Sequence, residues 1–162
     1  MHEVLKKVEQ FGVVPVIKIE DANDAVPLAK ALCEGGLPCA EVTFRTEAAE
    51  AAIQAMREAY PDMLLIAGTV LTKEQADRAV SAGAQAVVSP GFNRKVVDYC
   101  VRKGILILPG CSCPSDMEQA IEAGLSAVKF FPAEASGGIK AIQAMAAPYG
   151  QLRFMPTGGV TL

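Results

Sequence analysis

A lysine lies inside an apolar, strand-like run, residues 127–132, where a buried side chain is expected. Side chains alternate between the two faces of a strand, so Lys129 shares its face with Ala127 and Phe131. A charged ammonium is costly to bury, and burial favours the neutral amine, which is a nucleophile that can form a Schiff base with a ketone. The alternative is a lysine that reaches from the end of a strand into solvent.

A carboxylate and a guanidinium occur together on another predicted strand, residues 39–45. Glu41, Thr43 and Arg45 occupy alternate positions and therefore share one face, which we expect to point into the interior. A glutamate in that position can transfer protons as a general acid or base, and an arginine offers a planar fork that suits a carboxylate. The alternative is a buried structural ion pair between Glu41 and Arg45.

Seven apolar runs alternate with amphipathic helical segments along the chain. After an N-terminal helix, strands are predicted at residues 13–19, 39–45, 64–70, 85–91, 106–111, 127–133 and 152–159, and helices at 22–34, 47–59, 73–81, 95–102, 115–122 and 139–147. This alternation with short connections predicts an α/β fold whose parallel sheet is covered by helices. The sequence contains no GxGxxG motif or P-loop, which favours a TIM-type (β/α)8 barrel over a doubly wound sheet.

A barrel of this type closes with eight strands, and the eighth is missing from the prediction. The run Gly158-Gly159-Val160-Thr161-Leu162 ends the sequence where a further helix is expected. We therefore expect a single (β/α) barrel domain over residues 1–162 that is truncated at its C-terminus or incomplete.

Composition excludes several classes of protein. The 162 residues are 51% hydrophobic and 20% charged, with a formal net charge of −3, which is typical of one compact domain. No basic block predicts nucleic acid binding, and the apolar runs are too short for a membrane span. The first ten residues are polar and lack the apolar core of a signal peptide, so we expect a cytoplasmic protein.

Histidine and cysteine usage argues against metal and hydrolase chemistry. The single histidine is His2, so a histidine-bound catalytic metal and a Ser-His-Asp or Cys-His hydrolase are not expected. The five cysteines form no disulfide framework, and Cys111-x-Cys113 lacks the further ligands that a metal site needs. We expect the cysteines to be small buried residues in a reducing compartment.

Paired glycines follow the last predicted strand, at the end where TIM-type barrels gather their functional groups. Gly158 and Gly159 can let backbone N–H groups approach a phosphate closely. The alternative is an ordinary tight turn. The run 136–138 could form a similar anion site, but the start of a helix fits it better.

Five stretches, taken together, resemble the 2-keto-3-deoxy-6-phosphogluconate (KDPG)/4-hydroxy-2-oxoglutarate (KHG) aldolases. They are EVTFRT at 41–46, AGTV at 67–70, SPG at 89–91, VKFFPAE at 128–134 and PTGGV at 156–160. The resemblance runs in order over nearly the whole chain. It implies a class I aldolase that uses a lysine Schiff base, without a metal or other cofactor. Such an enzyme cleaves a 2-keto-4-hydroxy acid to pyruvate and an aldehyde, which is glyceraldehyde 3-phosphate for KDPG and glyoxylate for KHG.

The resemblance also implies roles for individual residues. Lys129 resembles the Schiff-base lysine and Glu41 the general acid/base. The remaining matches are Arg45 and Thr69 at the pyruvyl carboxylate and neighbouring oxygens, Pro90, Pro109, Gly110 and Phe131 in the pocket wall, and Gly158 and Gly159 in the phosphate site. The resemblance further implies a homo-oligomer, in particular a trimer.

The chain departs from the family pattern in two places. The family continues to an eighth strand with a second phosphate-binding turn, which this sequence lacks. Lys18 ends the first predicted strand where some relatives carry arginine. It can contact a substrate carboxylate as a point charge, or it can face solvent.

Two other functions are compatible with the sequence. One is a non-catalytic barrel fragment that binds anions or a partner subunit, which the missing strand motivates. The other is a different phosphosugar barrel enzyme without a Schiff base, which leaves Lys129 unexplained. Within the aldolase hypothesis, the sequence does not separate gluconate-type from galactonate-type or hydroxyoxoglutarate substrates.

Overall fold

The computed structural model describes residues 2–161, in which parallel strands alternate with helices. The strands are β1 (Val16–Ile17), β2 (Cys39–Thr43), β3 (Leu64–Gly68), β4 (Ala86–Ser89), β5 (Ile107–Cys111), β6 (Ala127–Phe130) and β7 (Arg153–Pro156). The helices are α1 (Glu3–Phe11), α2 (Ala25–Glu34), α3 (Ala49–Ala59), α4 (Lys73–Ser81), α5 (Arg94–Lys103), α6 (Pro114–Glu122) and α7 (Gly138–Ala146), and a 3-10 turn (Ala22–Asp24) precedes α2. Each predicted strand and helix is present, which confirms the α/β alternation.

The chain divides into two compact units, Met1–Val87 and Val88–Leu162. In the first unit, β2 pairs in parallel with β1 and with β3, and β3 pairs with β4. β2 and β3 are buried along their whole length. A parallel strand covered on both faces has this burial, because helices pack against the sheet.

Arg57 on α3 ties several segments of the first unit together. Its guanidinium donates to the Gly83 carbonyl oxygen at 3.0 and 3.1 Å and to Gln85 Oε1 at 3.0 Å. Gln85 Oε1 also accepts from the backbone N–H of Leu65 at 3.2 Å, at the start of β3. The loop after α4 is thereby fixed against β3.

Two side-chain hydrogen bonds at the start of α4 fix the loop after β3. Thr72 Oγ1 accepts from Gln75 N at 3.1 Å, and Gln75 Oε1 accepts from Leu71 N at 2.7 Å. The first bond satisfies an N–H group that a helix start otherwise leaves without a partner, and the second binds the residue before the N-cap. The chain from the end of β3 into α4 therefore has a defined path.

In the second unit, β6 pairs in parallel with β5 and with β7. Val128 and Phe130, on one face of β6, pack in a buried cluster with Met117, Ala120 and Leu152. This arrangement confirms the predicted alternation along β6, in which Lys129 occupies the opposite face.

The predicted strands, except the one over 106–111, are too long at their carboxyl ends. β4 stops before Pro90, and β6 stops two residues before Pro132, because proline has no N–H to donate to a sheet. β3 stops before Thr69, whose φ of 56° departs from extended backbone. Arg45, Thr69, Pro90 and Phe131 therefore lie in the loops that follow strands.

The fold does not test the two expectations about domain boundaries. The single domain over residues 1–162 and its C-terminal truncation stay predictions. Among residues 2–161, every helix falls short of the length and apolar character that a membrane span needs.

Candidate active site

Lys129 is buried in the middle of the three strands of the second unit. Lys129 is 5% exposed, and it pairs in register with Gly110 on β5 and Met155 on β7. The Nζ atom lies over the ring of Phe131, 5.3 Å from the ring centroid. The amine is thus held inside the unit, and the solvent-facing alternative does not describe it.

Pro90 and Gly110 lie close together beside β6 in the second unit, and Pro109 precedes Gly110 on β5. A Cβ atom on Gly110 would overlap the carbonyl oxygen of Pro90 and lie 2.8 Å from Gly91 N. Only glycine allows the two backbone segments to approach this closely. Because Gly110 is the register partner of Lys129, this contact shapes the strand beside the amine.

The Gly158–Gly159 turn lies next to Phe131 in the second unit. A Cβ on Gly158 would be 3.5 Å from two carbon atoms of the Phe131 ring. Both glycines have positive φ, 98° and 77°, which side chains rarely adopt. The structure therefore brings Lys129, Phe131 and the Gly158–Gly159 turn together.

Glu41 is buried on β2 in the first unit, where it is 1% exposed. Its carboxyl group lies against Gly68 on β3, since a Cβ there would be 2.8 Å from Glu41 Cγ and 2.9 Å from Cδ. Gly68 thus makes room for the glutamate side chain, a role that the sequence pattern did not reveal.

Thr43 orients Arg45 at the end of β2. The Thr43 hydroxyl donates to the Ile17 carbonyl oxygen at 3.0 Å and accepts from Arg45 Nε at 3.1 Å. Thr43 is the only hydrogen-bond partner of the Arg45 guanidinium among residues 2–161. The alternating Glu-x-Thr-x-Arg pattern contained this signal, but only the structure shows that Thr43 bonds to Arg45.

Arg45 lines an open cavity of about 450 Å³ in the first unit. The other residues that line it are mostly polar, namely Glu20, Phe44, Thr46, Glu47, Ala48, Glu50, Gln75 and Arg78. Arg78 is paired with Glu50 at 2.7 Å, so one of the two arginines is already neutralised. The Arg45 guanidinium is the cation that remains for an anionic group.

Thr69 and Lys18 differ in how well their surroundings suit a site. Thr69 is partly buried, and among residues 2–161 it is the one residue other than glycine with positive φ. Such strained backbone is concentrated at functional sites. The Lys18 side chain is 47% exposed and forms an ion pair with Glu20, as expected for a lysine that faces solvent.

Comparison with known proteins gives the family. The model of the KDPG and KHG aldolase family matches residues 3–162. The chain belongs to the KDPG and KHG aldolase family. Its enzyme class is that of an aldolase, a carbon–carbon lyase.

Individual relatives agree with this family. The chain is 52% identical over 162 residues to the 2-dehydro-3-deoxy-phosphogluconate aldolase of Treponema pallidum, covering 100% of this chain and 77% of the relative. It is 51% identical over 161 residues to the enzyme of that name from Haemophilus influenzae, covering 99% and 76%.

A solved structure confirms the fold class. The crystal structure of the 2-keto-3-deoxy-6-phosphogluconate aldolase of Zymomonas mobilis with 3-phosphoglycerate is 41% identical, with a TM-score of 0.94. The match covers 99% of this chain and 77% of that one. The predicted TIM-type barrel class, here with seven described strands, is therefore confirmed.

Replacing Gly110 with alanine in this aldolase should destabilise it by about 3 kcal/mol, because the new methyl group displaces buried backbone rather than a side-chain end. The free energy of unfolding in urea measures the loss. Gly91→Ala is the matched control, since a Cβ there meets nothing within 4 Å. A Gly110→Ala variant as stable as Gly91→Ala would contradict the close approach.

The cysteines of this aldolase differ in burial more than the sequence predicts. None of the five, which all lie within residues 2–161, forms a disulfide; Cys39, Cys100 and Cys111 are buried, but Cys113 is exposed. The expectation of burial is wrong for Cys113, because it caps the exposed start of α6. No cluster of three or more potential metal-ligating His, Cys, Asp or Glu side chains occurs in the described part of the chain.

Cys111 and Cys113 should react differently with iodoacetamide near neutral pH. Burial, with smaller contributions from Asp116 and Cys113, raises the pKa of the Cys111 thiol to about 12. Its reactive thiolate therefore appears only in strongly alkaline solution, whereas the exposed Cys113 thiol is open to the reagent. Peptide mass spectrometry of the folded enzyme should find Cys113 alkylated and Cys111 unmodified. Equal labelling of both would contradict the burial of Cys111.

Proposed function

We propose that this chain is a class I aldolase that cleaves 2-keto-3-deoxy-6-phosphogluconate to pyruvate and glyceraldehyde 3-phosphate through a Schiff base on Lys129. The observation that carries the proposal is the burial of Lys129 on β6 in a chain of the KDPG and KHG aldolase family. The unphosphorylated 4-hydroxy-2-oxoglutarate, which yields glyoxylate, is the second substrate because it carries the same reacting atoms.

Lys129 supplies the nucleophile. Its neutral amine adds to the C2 carbonyl carbon of the substrate, and the resulting carbinolamine loses water to form an iminium ion. When the C3–C4 bond breaks, its electron pair flows toward the iminium nitrogen and gives an enamine. The aldehyde leaves, and the enamine takes a proton at C3. Water then hydrolyses the pyruvyl iminium, which releases pyruvate and restores the amine.

Glu41 is assigned the proton transfers by its match to the family motif. The step that breaks the carbon–carbon bond must remove the proton of the C4 hydroxyl, and the enamine must receive a proton later. A carboxylate can perform both transfers, directly or through a water. Its burial against Gly68 keeps the group in one position, which supports this assignment.

Arg45 is assigned the pyruvyl carboxylate of the substrate. Thr43 holds Nε, which leaves the two terminal nitrogens of the guanidinium for a carboxylate. Two parallel N–H···O bonds fix the orientation of a carboxylate as well as its position. Thr69 is assigned to the neighbouring oxygens. Lys18, whose ion-pair partner Glu20 lines the same cavity as Arg45, is assigned a contribution as a point charge.

The second unit supplies the pocket wall and the phosphate site in this proposal. Pro90, Pro109, Gly110 and Phe131 are assigned to the pocket wall around Lys129 by their match to the family motifs. The backbone N–H groups of the Gly158–Gly159 turn receive the phosphate, because glycines with positive φ expose the backbone to an anion.

The same proposal includes the oligomeric state and the cellular location of the enzyme. We infer a homo-oligomer, in particular a trimer, in the cytoplasm, and a reaction that needs no metal because the lysine forms the electron sink. The small-molecule keto acid is its one proposed ligand. These assignments are supported by the family relationship together with the composition of the chain.

Reduction with borohydride in the presence of pyruvate tests the proposal. The wild-type chain should gain the mass of one reduced pyruvyl group, and peptide mapping should place it on Lys129. The exposed Lys140 on α7 provides the control, because Lys140→Ala should keep the label while Lys129→Ala loses it. No label would favour a phosphosugar barrel enzyme without a Schiff base. A label without aldol cleavage would favour a non-catalytic barrel fragment.

A further inference from the structure

Glu134 continues the pairing of β6 and β7 beyond the ends of both strands. Thr157 N donates to the Phe130 carbonyl oxygen at 3.0 Å, and Ala133 N donates to the Thr157 carbonyl oxygen at 2.8 Å. Glu134 N then donates to the carbonyl oxygen of Gly158 at 3.0 Å. The backbone of Glu134 is therefore bonded directly to the first residue of the Gly158–Gly159 turn.

The side chain of Glu134 packs against the second residue of this turn. A Cβ atom on Gly159 would lie 2.7 Å from Glu134 Cβ and 3.5 Å from Cγ. Real Cβ atoms do not approach other atoms to 2.7 Å, so the Gly159 backbone lies directly on the aliphatic part of the glutamate. Shortening this side chain to alanine would remove Cγ and the carboxylate beyond it, and Gly159 would keep only the Cβ contact.

The carboxylate of Glu134 lies at the beginning of α7. One of its oxygens, Oε2, is 3.1 Å from the position that a Cβ on Gly138 would occupy, and the other is 3.8 Å from it. Gly138 is the first residue of α7, and Gly137 N donates to the Glu134 carbonyl oxygen at 3.1 Å. A negative charge at the start of a helix is favourable, because the helix dipole is positive there.

We propose that Glu134 is a positioning residue that holds the Gly158–Gly159 turn in the conformation that binds the substrate phosphate. This inference rests on the proposed function, in which that turn receives the phosphate. The aliphatic part of Glu134 packs against Gly159, and its carboxylate lies beside the start of α7, where a negative charge is favourable. Glu134→Ala removes Cγ and the carboxylate, while the Cβ contact with Gly159 and the backbone bond to Gly158 remain.

This role predicts that a substitution of Glu134 affects the two substrates differently. A displaced turn weakens binding of a phosphorylated keto acid but leaves an unphosphorylated one unaffected, since only the first reaches the turn. A general loss of folding or of Schiff-base chemistry would reduce the turnover of both substrates. The ratio between the substrates therefore separates a positioning role from a structural one.

The experiment compares Glu134→Ala and Glu134→Gln with wild type on 2-keto-3-deoxy-6-phosphogluconate and on 4-hydroxy-2-oxoglutarate. Glu134→Ala should raise the KM for the phosphorylated substrate about tenfold, within the range that misplacement of a positioning group costs. Its kcat for that substrate, and both constants for the unphosphorylated one, should stay within about twofold of wild type. Glu134→Gln keeps the length and an acceptor oxygen, so it should restore most of the KM.

Glu34→Ala, an exposed acidic residue of α2, provides the control and should change neither substrate. Equal effects of Glu134→Ala on both substrates, or no effect on either, would overturn the positioning role. Borohydride labelling of Lys129 in the wild-type enzyme is measured in parallel. If labelling fails, the proposed function is wrong; if it succeeds and the KM values do not separate, only the inference about Glu134 is wrong.

Discussion

Replacing Lys129 with methionine is expected to reduce aldol cleavage by at least about 10⁴-fold, because removal of a covalent nucleophile typically costs about 10⁴ to 10⁶ in turnover. Without the amine no iminium ion forms, and the C3–C4 electron pair has no acceptor. The release of pyruvate, coupled to a dehydrogenase that reduces it, measures the rate. Borohydride labelling by pyruvate should disappear in the same variant.

Methionine suits this position because Lys129 is buried and an apolar side chain of similar length avoids burying an amine. Thermal unfolding should therefore show a variant that is as stable as wild type. Lys129→Arg is the second control, since it keeps a cation but supplies no usable nucleophile. Residual cleavage above about one hundredth of wild type in either variant would be incompatible with covalent catalysis by this lysine.

Replacing Glu41 with glutamine is expected to lower kcat by about 10² to 10⁴-fold, the usual contribution of a general acid or base. Glutamine has nearly the same shape and fits the space beside Gly68, but it cannot take up the C4 hydroxyl proton. The binding of pyruvate should change much less than kcat, because the carboxylate acts on protons rather than on affinity. Steady-state kinetics and trapping of pyruvate at several concentrations measure the two quantities.

The control for Glu41→Gln is Glu58→Gln on α3 of the same unit, an exposed glutamate that accepts a hydrogen bond from Gln54 at 3.0 Å. It should behave as wild type. If Glu41→Gln weakened pyruvate binding as much as it slowed turnover, Glu41 would instead be a structural group, as in the ion-pair alternative. Glu41→Gln and Glu58→Gln both need the same thermal unfolding test, because Glu41 is buried.

Predictions from local patterns succeeded for the elements but placed the ends of most strands wrongly. The predicted helix over 73–81 coincides with α4, and each predicted strand contains an observed one. A pattern of apolar residues depends on neighbours along the chain, so it can be read without the fold. The end of a strand depends on the backbone conformation that the fold imposes. β3, for example, stops at Gly68 because the next residue, Thr69, has a positive φ.

The candidate site shows the same division. The motif around Lys129 and the Glu-x-Thr-x-Arg pattern of β2 indicated the chemistry, since residue type and strand alternation are written in the chain. The solvent-facing alternative for Lys129 could be decided only by its burial, and the role of Thr43 only by its bond to Arg45.

The sequence by itself determined the α/β alternation, the family and the residues that could carry a Schiff base, because each of these is a property of residue types and their order. The tertiary structure alone decided which glycines are required. Gly68 lies against Glu41, Gly110 against Pro90, and Gly159 against Glu134. Such contacts join residues that are distant in the chain, and a glycine in the sequence does not show what approaches it.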